Sequence, residues 1–310
     1  MTTILFAAGS ERWAEYETPL RNALGALGLD YTLSPESDDP AQVDYIIYAP
    51  NPALTDFTPF TNAKAVLSLW AGVERIVDNE TLTMPLARMV NDGMTEGMVE
   101  WVVANVLRHH LGLDRYVLNP PHEWAPRVPP LARDRKVAVL GLGALGQACA
   151  RALAELNFDV TGWSRRPKDI VGITCLSGDD GLEQTLARAE IMVLLLPLTT
   201  DTENLLNAQR LAQMPAGAVV INPGRGPLID DDALLAALDS GHISHATLDV
   251  FRKEPLPADR PYWTHPKVTV TPHIASDSRT DSAAQVIAEN IRRGETGEPL
   301  LHLVDRGAGY

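Results

Sequence analysis

Cysteine is scarce in this chain: Cys149 and Cys175 are the only two among 310 residues. Two thiols so placed give neither the framework of a disulfide-stapled domain nor the clustered ligands of a zinc site. No apolar run reaches the length of a membrane-spanning helix, and the opening MTTILFAAGS lacks the basic region and long apolar core of a secretory leader. A cytoplasmic protein without membrane association is expected. Positive charge is short as well. The balance of 26 Lys and Arg against 40 Asp and Glu, net −14, argues against a general nucleic-acid binder, which would more often carry a basic face. Histidines such as His109, His110, His242, His245 and His265 show no metal-ligand spacing, so no metal is expected. What remains is an ordinary globular composition, 45% hydrophobic and 21% charged, long enough for two domains with a core each.

The most informative stretch is KVAVLGLGALGQACARALA, residues 136–154. Val137, Ala138, Val139 and Leu140 read as a short buried strand, and Leu145, Cys149, Ala152, Leu153 and Leu156 as one helix face. Between them stand Gly141, Gly143 and Gly146. In a strand, turn and helix of this kind the first glycine allows a tight turn, the second lets backbone approach a pyrophosphate, and the third lets helix and strand pack closely. Ala144 and Leu145 fall inside the same turn. The stretch predicts a dinucleotide site; a glycine turn that serves packing alone is the alternative.

Strand-like runs at 3–8, 31–33, 43–48 and 65–69, with a helical pattern at 13–27 broken or kinked by Pro19, suggest a small flavodoxin-like α/β unit with parallel pairing. A helix is expected over 95–111 as a link between domains, followed by the proline-rich run from Asn119 to Pro130, read as an ordered surface arm or loop whose Trp124 could line a site, contact a partner subunit or pack under the loop. Beyond the glycine turn, apolar runs at 158–161, 173–176, 191–196, 218–221, 246–250 and 268–271 alternate with helical patterns, giving a second, fuller doubly wound sheet. A helix over 278–293 could return to the first domain. The fold class is thus α/β, two Rossmann-like or flavodoxin-like domains with an interdomain active-site cleft.

One further absence bears on the cofactor. An unphosphorylated ribose normally meets an acid about 20 residues beyond the first glycine. Here Trp163 is followed by Ser164, Arg165 and Arg166, 23 to 25 positions after Gly141, and no acid occurs there. Hydroxyl and guanidinium donors suit a 2′-phosphate. NADPH is the preferred cofactor on this reading, with NADH possible; the bland reading is a solvated basic turn.

Open α/β sheets bind ligands at the carboxyl ends of their strands. Arg225, Glu254 and His273 all stand at or just past predicted strand ends. Arg225, between two glycines, can clamp a carboxylate or simply face solvent. A carboxylate such as Glu254 can fix the tautomer of an imidazole and favour its charged form, as general acid catalysis requires, or the two can be structural. The segment Trp70-Ala71-Gly72-Val73-Glu74 after the fourth strand can offer backbone N–H groups to an anion, or can be a plain turn.

Taken together, LWAGVE, DGMTEGMVEW, VAVLGLGALG, WSRRPK, NPGRG, LDVFRKEPLP, TPHIAS and the ending VDRGAGY resemble, in order and over nearly the whole chain, the D-isomer-specific 2-hydroxyacid dehydrogenase family, and within it the glyoxylate/hydroxypyruvate reductase A branch. The resemblance implies His273 as general acid in reduction, Glu254 as its partner, and Arg225 as the group that holds the 2-oxoacid carboxylate and polarises its carbonyl. It implies Gly72 and Val73 as a second carboxylate anchor, Tyr48 and Trp70 as substrate-facing positions, and Leu196, Pro197, Asn222, Pro223 and Asp249 as cofactor-pocket positions. Relatives often carry tryptophan where Tyr48-Ala49-Pro50 stands, and small or apolar residues where Pro223-Gly224 precedes Arg225.

The implied domains are 1–98 plus 275–310 for substrate and 99–274 for dinucleotide, hinged near 96–100 and 273–280, in a homodimer built largely on the cofactor domains. The implied reaction is reduction of a small 2-oxoacid, glyoxylate or hydroxypyruvate or a relative, to a D-2-hydroxyacid. Rival readings are an NAD-dependent dehydrogenase of other specificity, such as a phosphoglycerate or D-lactate enzyme, and a non-catalytic dinucleotide-sensing protein on the same fold.

Overall fold

Buried strands with apolar residues on both faces set the architecture of this chain, whose computed structural model describes residues 1–117 and 121–309. Asn119 and Pro120, at the head of the proline-rich run, and Tyr310, which ends the tail, lie outside the described residues. In chain order the elements begin with β1 (Thr2–Ala7), α1 (Ser10–Ala26), β2 (Tyr31–Ser34), β3 (Tyr45–Tyr48), β4 (Ala65–Ser68) and β5 (Leu86–Ala87). The helices α2 (Asp92–Leu111) and α3 (Asp114–Val117) follow. Next come β6 (Lys136–Leu140), α4 (Ala144–Glu155), β7 (Asp159–Ser164), β8 (Thr174–Ser177), α5 (Gly178–Arg188), β9 (Ile191–Leu194) and α6 (Ala208–Gln213). The series closes with β10 (Ala218–Asn222), α7 (Asp231–Asp239), β11 (Ile243–Leu248), β12 (Val268–Val270) and α8 (Thr280–Thr296). The chain divides into two compact units, 1–94 with 277–310, and 95–276.

Among the described residues the strands form two sheets, and every strand pair within them is parallel. The first unit holds the order β2-β1-β3-β4-β5. Its strands β3 and β4 are buried along their whole length, the pattern of a sheet covered on both faces rather than of one with a wet side. Helix α1 turns Tyr16, Leu20 and Leu24 inward at four-residue spacing and packs on α8. The other unit holds β12-β11-β10-β9-β6-β7-β8. The order in which the chain adds strands reverses between β6 and β9, the switch point of a doubly wound sheet. Two buried layers, one including Leu140, Leu194 and Leu248 and the other Val139, Val193 and Ile221, cover its two faces.

Several element boundaries differ from the sequence reading. Pro19 lies inside α1, which continues through it, so the missing N–H leaves the carbonyl of Glu15 without its helical donor but does not end the helix. Helix α8 runs past Gly294, where a Cβ would overlap Tyr45, and stops at Gly297 in the left-handed region, φ 74°. Strand β5 has two residues, too short to leave a pattern in the sequence.

Candidate active site

The glycine turn after β6 is shaped by steric necessity. Gly141 has φ 104°, a region closed to most side chains, and a Cβ there would overlap the carbonyl of Leu195 at the end of β9. A Cβ on Gly146 would overlap the carbonyl oxygen of Gly141. Gly143 is the opposite case, since a Cβ on it would meet nothing within 4 Å. It caps α4 without a side-chain hydrogen bond, so the first-turn amides of that helix, including those of Ala144 and Leu145, face outward from a helix start. Two glycines close the turn and the third leaves room above a helix N-terminus at the switch point. These residues fit a dinucleotide pyrophosphate.

At the end of β7, next to β6 in the sheet, the Ser164 hydroxyl donates to the carbonyl of Arg166 at 2.7 Å, and Arg165 and Arg166 are exposed. Ser164, expected as a cofactor ligand, therefore shapes the turn that presents the two arginines. Leu196 is buried and Pro197 half-buried just beyond β9; the Pro197 carbonyl accepts from the Thr202 hydroxyl at 2.7 Å.

Beyond β10 the turn from Asn222 is tied by the asparagine side chain. Its Oδ1 accepts from the Gly224 N–H at 3.1 Å, and its Nδ2 donates to the Arg225 carbonyl at 2.9 Å. Gly226 allows the turn to lie against Phe251 and Arg252, whose backbone a Cβ would overlap. Pro223 sits within this clamp, and Arg225 donates from Nη1 to the Gly224 carbonyl at 2.7 Å, so the Pro-Gly pair is compatible with a tightly held arginine.

The strongest assembly is at the ends of β11 and β12. Glu254 accepts at Oε1 from the Phe251 N–H, 2.8 Å, and its Oε2 lies 2.8 Å from Nδ1 of His273. An ionised carboxylate can only accept, so this contact places a hydrogen on Nδ1 and leaves Nε2 as the position for a second proton. The two side chains are 33% and 49% exposed, reachable by a small molecule. His273 has φ 55°, uncommon for a residue with a Cβ. Strand-end position alone brings these two residues forward in the sequence, and the structure brings them together.

Asp249, expected among cofactor-pocket positions, is wholly buried, and its carboxylate is hydrogen-bonded to the segment carrying His273. Oδ1 accepts from the Thr271 hydroxyl, 2.6 Å, and the Ile274 N–H, 2.9 Å; Oδ2 accepts from the Ala275 N–H, 2.9 Å. The signal available in the sequence is an acid embedded in an apolar strand end, LDVF, since burial of a carboxylate demands donors.

In the first unit, Tyr48 is expected to face substrate. It is the last residue of β3, 5% exposed, with its ring edge-on to Phe57 at 5.6 Å. Burial raises its phenol pKa above the usual value. A strand buried on both faces packs this ring against Phe57. Trp70, half-buried, follows β4, where its N–H donates to Ser68 Oγ and its carbonyl accepts from Met89. Among the described residues the N–H groups of Gly72 and Val73 donate to no acceptor, leaving two adjacent amides at a parallel strand's carboxyl end.

Known proteins resemble this chain along its length. A family model described as D-isomer specific 2-hydroxyacid dehydrogenase, NAD binding domain, matches residues 101–275. A glyoxylate/hydroxypyruvate reductase A of Yersinia enterocolitica is 40% identical over 255 residues, 80% of this chain and 82% of the relative. The fold is similar to a D-isomer specific 2-hydroxyacid dehydrogenase from Xanthobacter autotrophicus Py2 solved with NADPH and MES, TM-score 0.92 at 40% identity, covering 100% of this chain and 99% of that one. It is also similar to an NADPH-dependent glyoxylate/hydroxypyruvate reductase from Sinorhizobium meliloti solved with NADP and sulfate, TM-score 0.88 at 33% identity, covering 100% of both.

Proposed function

The chain belongs to the D-isomer-specific 2-hydroxyacid dehydrogenase family, and on that premise we propose that it is an NADPH-preferring reductase of small 2-oxoacids, glyoxylate, hydroxypyruvate or a relative, to D-2-hydroxyacids. The observation that carries the reading is the 2.8 Å contact between Glu254 and Nδ1 of His273 at the carboxyl edge of the dinucleotide-fold sheet. The overall reaction is 2-oxoacid plus NADPH plus a proton to 2-hydroxyacid plus NADP⁺.

When bound, the nicotinamide cofactor would supply a hydride, two electrons and one proton, to C2 of the acid. His273, charged with both nitrogens protonated, holds at Nε2 the proton that ends on the carbonyl oxygen, and Glu254 stabilises that charge and keeps the ring oriented. Arg225 holds the substrate carboxylate and polarises the carbonyl, with the amides of Gly72 and Val73 as the second carboxylate anchor. Gly141, Gly143, Ala144, Leu145 and Gly146 cradle the pyrophosphate, while Leu196, Pro197, Asn222 and Pro223 line the rest of the cofactor pocket.

The cofactor preference is supported by the exposed Arg165 and Arg166 at the end of β7 and by the NADPH and NADP held in the Xanthobacter and Sinorhizobium proteins. Replacing both arginines by alanine tests it: kcat/KM for NADPH falls by about 10²-fold while that for NADH changes little. Equal losses with both cofactors would overturn the assignment.

A homodimer is part of the proposal. Trp124 is 97% and Val128 91% exposed, in a segment that also exposes Leu113, Tyr116, Val117 and Leu131, an apolar extent that a second copy would cover. Sedimentation of Trp124→Ser is expected to show weakened self-association; an unaltered dimer would remove this segment from the interface.

A further inference from the structure

Trp70 is flanked by two arginines. The Arg12 guanidinium lies over its ring at 5.6 Å from the centroid and that of Arg75 at 6.0 Å. Arg12 comes from the first turn of α1, directly after β1, and Trp70 and Arg75 from the segment after β4. All three therefore belong to the carboxyl edge of the five-stranded sheet, whose order reverses direction between β1 and β3. That edge is where a doubly wound sheet takes ligands.

With 40 acids to 26 bases, carboxylates are plentiful, and Arg21, Arg108, Arg135, Arg188, Arg252, Arg260, Arg292 and Arg293 are each ion-paired. Among the described residues, neither Arg12 nor Arg75 has a carboxylate in salt-bridge reach, and neither donates to a backbone carbonyl. A guanidinium resting on an aromatic face keeps its N–H donors, which lie in the guanidinium plane, open for an anion. Gly72 and Val73, the amides proposed to anchor the C1 carboxylate, stand between Trp70 and Arg75, and the chain holds Trp70 within about 10 Å of Val73.

We infer that Arg12, Trp70 and Arg75 form a subsite for a second negative group, so that the favoured substrates are 2-oxoacids bearing a further carboxylate or phosphate on the chain beyond C2. This rests on the reductase reading and narrows it to a substrate class. The ring supplies an apolar wall for the intervening carbons, and the guanidiniums supply planar donors that match carboxylate or phosphate oxygens. An uncharged substituent leaves these donors to water and gains nothing from them.

The test compares matched substrates with NADPH: 2-oxoglutarate against 2-oxovalerate for the carboxylate, and 3-phosphohydroxypyruvate against hydroxypyruvate for the phosphate. Wild type is expected to favour the doubly charged member of at least one pair by about tenfold or more in kcat/KM, and the pair that responds identifies the group. Arg12→Gln and Arg75→Gln are each expected to lower that ratio by about tenfold, chiefly through KM, while hydroxypyruvate reduction, which reports a folded enzyme, falls less than about threefold. Raising ionic strength should lower the ratio in wild type more than in the double variant. Brisk reduction of hydroxypyruvate with no advantage for either doubly charged acid, or an advantage unmoved by both variants, overturns the subsite alone. No NADPH oxidation with any of the four acids overturns the reductase reading and the subsite together.

Discussion

The backbone N–H of His273 donates to the carbonyl of Asp249 at 2.8 Å, while the carboxylate of the same aspartate takes the Thr271 hydroxyl and the N–H groups of Ile274 and Ala275. One buried residue thus grips the segment on both sides of the proposed acid. His273 is at φ 55°, a conformation costing about 1–2 kcal/mol for a residue with a Cβ, and this grip is what holds it there.

Asp249→Asn tests that relationship. The amide keeps the shape but turns one acceptor into a donor facing an N–H or a hydroxyl, so the segment must shift. Displacement of a reacting group by about 1 Å can cost on the order of 10²-fold, and kcat is expected to fall on that scale with the KM for NADPH within about threefold. Unchanged kcat, or a loss expressed only in cofactor affinity, would return Asp249 to the cofactor pocket.

The glycine turn makes a paired prediction. Gly143→Ala adds a methyl where nothing lies within 4 Å, so the melting temperature should stay within about 2 °C while NADPH binding weakens. Gly146→Ala forces a Cβ onto the Gly141 carbonyl and should destabilise the fold by about 2–3 kcal/mol or more. Thermal melts and NADPH fluorescence titration of both variants check this. Intact NADPH affinity in Gly143→Ala would contradict the cradle.

Acid stability is set in part by two histidines. The rings of His109 and His245 lie 4.9 Å apart, bonded through Nε2 to the hydroxyls of Thr247 and Thr269. Burial is the main cause that lowers each imidazole from 6.5 to about 4; Arg108 lowers both further, each aided by a neighbouring histidine, His245 for His109 and His265 for His245, and Asp114 opposes. The unfolded chain takes up these protons near pH 6.5 and the folded one only near 4. Their stabilisation is complete above about pH 6.5, declines as the pH falls towards 4, and is absent below. Urea titrations across this range should show a loss on the order of a few kcal/mol, reduced in His109→Gln. An identical pH slope in that variant would exclude the pair as the cause.

Much of this is legible in the sequence because strands buried on both faces leave unbroken apolar runs, as Ala218 to Ile221 and Ile191 to Leu194 do. Strand ends then point to Glu254 and His273. Long-range polar closure leaves no such trace. Asp249 meets donors 22 to 26 residues away, two of them backbone amides that any residue could supply. A tyrosine ending a strand reads equally as loop or core, and the packing of Tyr48 against Phe57 is a tertiary contact that leaves no trace in the sequence. The stacking of Arg12 and Arg75 on Trp70 likewise needs β1 and β4 to end on one edge, which spacing alone does not convey.

The most direct measurement is the initial rate of NADPH and of NADH oxidation with glyoxylate and with hydroxypyruvate, followed by chiral analysis of the glycerate formed from hydroxypyruvate. The expected result is turnover with at least one acid, a kcat/KM for NADPH at least about tenfold above that for NADH, and the D-isomer of any glycerate formed. Binding of NADPH without reduction of either acid, or equal use of the two cofactors, would contradict it.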